Sequence, residues 1–337
     1  NFLNVATRLV GILSFVNFDI IFLVFSPETL IIEIPAIPGP DERAYIVIKL
    51  IITSIYFKYI NFSMIIWIAS YPKSGNTWVR TIISSIFFSD NGNFEMDLLE
   101  KIPQFPRNSH FHGITDDVSN INIIYKHWVK AQEKLNKENK IFFLKTHNAN
   151  IKINGYPFTN KKNTLGTIYI VRDPRSLVSS IANHFKYSQI QAKNFILEKK
   201  ALKQSLDGKS GVITPITDWG DHYKSWTENN ESLLIIKYED LLKNTKNEIV
   251  RIYSFLGKFI KVEFDDEKVD KIIKTTSFKR LKYQEKLGKF KEYLKRDKDF
   301  KFFFKGPNNI WQNSLGEEIK KEIEKKYYNL MKKLNYI

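Results

Sequence analysis

From Ile65 onward the chain alternates short apolar runs rich in β-branched residues with stretches whose apolar positions recur at helical spacing. Four runs stand out: Ile65 to Ser70 (IIWIAS), Ile141 to Lys145 (IFFLK), Thr167 to Val171 (TIYIV) and Leu233 to Lys237 (LLIIK). Continuous rather than alternating apolarity is the mark of strands buried on both faces, as in a parallel sheet wrapped by helices. After the first run, Val79, Ile82, Ile83 and Ile86 recur at the spacing of one helix face, so a helix is expected there. The pattern predicts an α/β domain over residues 64 to 337, with a central parallel sheet flanked by helices. In such sheets ligands sit beyond the carboxyl ends of the strands. The chemistry is therefore expected in the polar segments that follow the four runs: YPKSGNTW, THN, RDPRS and YEDL.

Residues 1 to 63 have a different texture. Apolar runs cover Arg8 to Phe25 and Tyr45 to Ile60, with IPAIPGP between them. Each falls short of the roughly 20 residues that span a bilayer, and Asn17, Asp19, Lys49 and Lys58 interrupt them. Met64 stands directly before a strand-like run, so residues 1 to 63 are read as an extension upstream of the folded domain, and membrane association is expected only through them.

Composition narrows the classes. The 337 residues, 43% hydrophobic, suffice for one sizeable core and exclude a disordered tail. A formal net charge of +16 implies an anionic partner: nucleic acid, a membrane surface or a phosphorylated small molecule. The absence of Cys excludes disulfides, thiol catalysis and Cys-based zinc sites, and makes a reducing cytoplasm the expected compartment. No spacing of His and carboxylates suggests a metal site.

The most specific string is Tyr71 to Trp78, YPKSGNTW, between the first strand and its helix. Backbone N–H groups at a helix start bind anions, and here Lys73 adds a charge while Ser74 and Thr77 add hydroxyls. The fold expected is therefore P-loop-like, although the loop is not a Walker A sequence, since Lys73 precedes the single glycine, Gly75. In RDPRSLVSSIANHF, Asp173 is a good N-cap and Pro174 a good first helical residue, which leaves Arg172 at the strand end with Ser176 and Ser180 one turn apart beyond it. In FLKTHNAN, Lys145 and His147 follow a strand end, where a lone His is more often structural than catalytic.

YPKSGNTW resembles the 5′-phosphosulfate loop of sulfotransferases that use 3′-phosphoadenosine-5′-phosphosulfate (PAPS), a resemblance extending over about residues 64 to 315. It implies that Lys73 meets the 5′-phosphate and bridging oxygen, that Ser74, Gly75, Asn76 and Thr77 cradle the phosphate, and that Trp78 stacks on adenine. Arg172 with Ser180 reproduces the spacing of the pair that binds the 3′-phosphate, and KTH resembles the segment whose His, here His147, is the general base, with Lys145 beside it in the catalytic group. Asn148 and Ala149 depart from the commoner KTHLP. DWGDHYKSW and YEDL are similar to further family segments, with Tyr238 touching adenine and His222 structural. TTSF resembles an adenine-lining segment, with Thr276 and Phe278 as the candidates. FFFKGPNNIWQN is similar to a degraded RKGxxGDWKN loop that keeps Lys305 and Gly306 but has Phe304 where Arg is usual, one charge fewer for the 3′-phosphate. The resemblance implies an enzyme that moves a sulfuryl group by in-line displacement to a hydroxyl or amine of a small-molecule, glycan or lipid acceptor, with no metal and no nucleic-acid partner. Segments Ser89 to Asn139 and Lys186 to Pro215 are expected to wall the acceptor site. Two rival readings remain at this level: a P-loop nucleotide kinase, and a basic nucleic-acid-binding module.

Overall fold

The computed structural model describes residues 64–135, 140–204, 211–292 and 301–337, together with two short strands near the N-terminus. Residues Asn1–Ile60 and Asn61–Ile337 are separate compact units. In the first, β1 (Phe22–Phe25) and β2 (Leu30–Glu33) pair antiparallel as a hairpin, Phe25 opposite Leu30. Apart from these strands, the segment for which membrane association is expected lies outside the described residues. Among the described residues no helix is long and apolar enough to cross a membrane.

In the second unit, β3 (Met64–Ser70) turns into α1 (Asn76–Phe88). Short helices α2 (Ile121–Ile124) and α3 (Trp128–Leu135) precede β4 (Ile141–Thr146). A small hairpin of β5 (Lys152–Ile153) and β6 (Tyr156–Pro157) leads to β7 (Thr164–Val171), then α4 (Pro174–Phe185) and α5 (Gln189–Leu197). A second hairpin, β8 (Ala201–Gln204) with β9 (Val212–Pro215), is followed by α6 (Trp219–Thr227), β10 (Leu233–Lys237) and α7 (Tyr238–Lys243). The chain closes with α8 (Thr245–Leu256), α9 (Asp266–Thr275), α10 (Phe278–Lys286) and α11 (Glu317–Lys333).

The four strands expected from the apolar runs form one parallel sheet in the order β10-β7-β3-β4. β3 lies inside it, and Ile65 through Ala69 have no exposed surface. Its side chains alternate between two cores. Trp67, Ala69 and Tyr71 face an aromatic layer with Phe105, Phe158 and Trp226, whereas Ile66 and Ile68 face an aliphatic layer with Val79, Ile82 and Ile83 of α1. Both faces are thus covered, which accounts for the unbroken apolar run. Parallel register brings the strand ends together: Ala69 lies beside Thr146, Ser70 beside Ile170, and Lys237 beside Val171. β7 begins three residues earlier than the apolar run predicts, at Thr164, which pairs with Ile65 of β3 and accepts a hydrogen bond from the Trp67 indole through Oγ1. The predicted helix start after the third strand is observed, with Asp173 accepting from Arg175 N–H and Pro174 in the first turn.

A buried ion pair fastens the start of α1 to distant parts of the chain. Arg80, fully buried, donates to both carboxylate oxygens of Glu292 at 2.7 and 2.8 Å and to the carbonyls of Leu99 and Ile102 at 2.8 and 2.7 Å. Although burial pushes the Glu292 carboxyl upward, Arg80 and Lys145 hold it below its ordinary value. Removing one partner of such a pair strands the others. Arg80→Ala is expected to destabilise the domain by about 3–5 kcal/mol, and Glu292→Gln by less, since the amide still accepts from the guanidinium; urea melts of the two variants check the ranking.

Candidate active site

The turn after β3 places its groups by backbone constraint. Lys73 and Gly75 both lie in the left-handed region, at φ 68° and 103°. Glycine is required at 75 because a Cβ there would come within 2.6 Å of the Tyr238 ring. α1 then begins without a side-chain cap and without an acidic residue in its first turn, leaving its positive end uncompensated. Asn76 Nδ2 donates back to the Ile68 carbonyl at 2.9 Å and to Ser70 Oγ at 3.1 Å, tying the helix start to the strand end.

Arg172, at the end of β7, reaches this turn. Its guanidinium donates to the Lys73 carbonyl at 3.2 Å and lies 4.1 Å over the Tyr238 ring, while Trp78 meets the same ring edge-on at 5.8 Å. Lys73, Gly75, Trp78, Arg172 and Tyr238, drawn from three separate sequence motifs, therefore share one cleft. Ser74 Oγ, Arg172 Nε and Trp78 Nε1 are buried without a hydrogen-bond partner among the described residues. A hydroxyl, a guanidinium nitrogen and an indole N–H left unmatched around a helix start form a donor set suited to a nucleotide carrying phosphate.

β4 ends beside that cleft. His147 Nδ1 lies 2.8 Å from the Ser70 carbonyl, which can only accept, so Nδ1 carries the proton and Nε2 keeps its lone pair. Burial, aided by neighbouring Lys145, holds the imidazole well below its ordinary value and neutral. The buried His222 supports it: Tyr169 OH and His222 Nδ1 are 2.8 Å apart, and His222 Nε2 is 3.1 Å from the His147 carbonyl. Lys145 Nζ donates to Gln104 Oε1 at 3.1 Å, where residue 104 bridges to the edge of β4. Burial lowers Lys145 to about 8, with Glu292 opposing and Arg80 adding to the shift. Burial likewise lowers Lys73 to about 7, reinforced by Lys145 and Arg172 and opposed by Glu285.

The remaining candidates lie on several elements. Thr276 is buried at the end of α9, its hydroxyl donating to the Ile272 carbonyl at 2.7 Å. Phe278 begins α10, and a Cβ at Gly306 would come within 2.4 Å of its ring. Lys305 Nζ lies 5.7 Å over the Phe304 ring. Ser180 sits half-buried on α4. Thr77, 8% exposed, belongs to the first turn of α1. Sequence reasoning did not single out Glu285, whose carboxylate accepts the backbone N–H groups of Phe302 and Phe303 at 2.5 and 3.0 Å and so fixes the Phe302 ring 3.9 Å beneath the Lys73 ammonium. Its only sequence signal is its place on the inward side of a basic helix.

The sequence profile of the family described as sulfotransferase domain matches residues 64–335. The chain belongs to the sulfotransferase family. It is 26% identical over 269 residues to sulfotransferase 1E1 of Bos taurus, covering 79% of this chain and 82% of that protein, and 25% identical over 275 residues to the amine sulfotransferase of Oryctolagus cuniculus, covering 79% and 80%. Its fold is similar to that of a mouse sulfotransferase complexed with PAP (TM-score 0.52, 22% identity, 79% of this chain and 84% of the other). It is similar also to retinol dehydratase in complex with androsterone and inactive cofactor PAP (TM-score 0.52, 17% identity, 80% and 81%). The protein is an enzyme, a sulfotransferase.

The shared low-dielectric pocket yields a direct readout. When the lysines of this sulfotransferase are dimethylated with carbon-13 and followed by NMR, two resonances are expected to titrate far below the rest, one near pH 7 and one near pH 8. Lys145→Met should remove the second and move the first upward, because it deletes a repelling charge.

Proposed function

We propose that this sulfotransferase uses PAPS as donor and transfers its sulfuryl group in line to an acceptor hydroxyl or amine, with His147 as general base. The observation that carries the reading is the convergence of Lys73, Arg172 and the unmatched Ser74, Arg172 and Trp78 donors on one helix start, with the free nitrogen of His147 a strand away. PAPS supplies an activated sulfuryl group and leaves as 3′,5′-adenosine diphosphate.

The chain's own residues divide the work. Lys73 and the N-terminal end of α1 bind the 5′ side and neutralise charge there as it grows. Arg172 and Ser180 bind the 3′-phosphate, for which a guanidinium fork is well shaped. Tyr238, Trp78, Phe278 and Thr276 enclose the adenine. His147, neutral and fixed by Ser70 through Nδ1, takes the acceptor's proton at Nε2, while Lys145 stabilises negative charge beside it. Positioning and charge stabilisation dominate, as in phosphoryl transfer. The acceptor is a small molecule, walled by residues of the segments Ser89 to Asn139 and Lys186 to Pro215.

Sulfate transfer from radiolabelled PAPS to a panel of phenols, alcohols and amines tests the assignment. Lys73→Ala and His147→Ala are each expected to reduce turnover by at least about a hundredfold; near wild-type turnover in either rejects that role. Stabilisation against heat by Mg-ATP but not by 3′,5′-adenosine diphosphate would favour a kinase instead.

A pH dependence follows from Lys73. Its value of about 7 means that the free enzyme loses this charge as pH rises through neutrality, while a bound phosphate favours the charged form. Affinity for 3′,5′-adenosine diphosphate should therefore be full below pH 7 and fall above it by up to about tenfold per pH unit, with proton uptake on binding. Calorimetry in buffers of different ionisation enthalpy measures both.

A further inference from the structure

The segment from residue 301 to 309 is pinned along one helix and braced by another. On α4, Asn183 Nδ2 donates to the Lys301 carbonyl at 3.1 Å, Asn309 Nδ2 donates to the Ser176 carbonyl at 2.7 Å, and Ser179 Oγ bonds to Asn309 Oδ1. Ser176, Ser180 and Asn183 are spaced i, i+4, i+7, so they line one face of α4, with Ser180 between the two pinning points. Ser180 thus lies on α4 between the two points at which the segment carrying Phe304 to Gly306 is held. From the opposite side, α10 holds the same stretch. Glu285 takes the N–H groups of Phe302 and Phe303, the Phe278 ring lies against Gly306, and Lys282 Nζ reaches the Phe304 carbonyl at 3.5 Å and stands 5.9 Å from the Phe278 ring.

Lys282 is solvent-exposed, so its ammonium is held at the rim by these contacts and not by packing in the core. Phe304 itself is 38% exposed and brings no charge to the segment. A phosphate monoester at Ser180 carries close to two negative charges and favours more than one cation. Arg172 is already assigned to this phosphate, and along the segment only Lys305 joins it from residues 302 to 309. The α10 ammonium is the next cation placed against it.

We propose that Lys282 is a cofactor-binding residue that meets the 3′-phosphate across from Ser180 and supplies from α10 the charge that Phe304 leaves out of the loop. This rests on the proposed use of PAPS. The role is one of donor affinity and of discrimination for the 3′-phosphate: Lys282 lies on α10, whereas His147 follows β4.

The test is calorimetric titration of the full chain with 3′,5′-adenosine diphosphate and with 5′-adenosine monophosphate, which lacks the 3′ group. Lys282→Met should weaken binding of the diphosphate by about tenfold and leave the monophosphate unchanged, the loss expected for one charged contact. Lys282→Arg should bind both nucleotides as the wild type does, and Phe304→Arg placed in the Lys282→Met background should recover affinity for the diphosphate. Undiminished diphosphate binding by Lys282→Met overturns the assignment, and so does an equal loss for both nucleotides. Wild-type protein that binds neither nucleotide would overturn the use of PAPS and this inference with it; wild-type protein that prefers the diphosphate, combined with an indifferent Lys282→Met variant, overturns the inference alone.

Discussion

The absence of a Cβ at residue 75 lets the Tyr238 ring lie directly against the turn between β3 and α1. That contact joins the ends of two strands that are not neighbours in the sheet, since β7 stands between β3 and β10. Once the ring is seated there, Arg172 at the end of the intervening strand has a flat face to stack on and a carbonyl, that of Lys73, to hold. The parallel sheet supplies the stage by bringing three strand ends to one edge, but the glycine decides how closely the three loops beyond that edge approach one another.

The second constraint is charge. Lys145 and Arg172 act on Lys73, and Arg80 acts on Lys145, within a largely dry region, opposed by the carboxylates of Glu285 and Glu292. Burial of like charges depresses both lysines. The two acidic residues are used unlike each other. Glu292 is consumed by Arg80 and so helps to hold the domain together, whereas Glu285 binds backbone N–H groups and places an aromatic ring beneath Lys73. The region is therefore short of negative charge, a shortage that a polyanionic ligand relieves.

Much of this was legible in the sequence. Both faces of the sheet are covered, so its strands announce themselves as unbroken apolar runs, and all four entered the parallel sheet. The Asp173-Pro174 helix start carried its own capping chemistry. The groups at the strand ends were visible because Lys, His and Arg stood where runs of Ile and Val stopped. What stayed hidden was pairing at long range. Arg80 and Glu292 are separated by 212 positions, and nothing in the local pattern of either distinguishes a buried ion pair from a solvated charge. Glu285 lies on α10 among lysines that face solvent, so the local pattern does not set its carboxylate apart. Thr164 escaped notice because its place in the strand is set by pairing with Ile65, about a hundred positions away, and not by its neighbours in sequence.

The depressed basicity of His147 has a kinetic side under the proposed chemistry. With Nδ1 committed to Ser70 and its carbonyl held by His222, the ring has one working nitrogen and little freedom to turn. A proton captured there makes a cation beside two lysines in a dry setting, where it is poorly tolerated and swiftly surrendered. A feeble base of this kind sacrifices some pull on the incoming nucleophile, and in exchange it is ready again almost as soon as product departs.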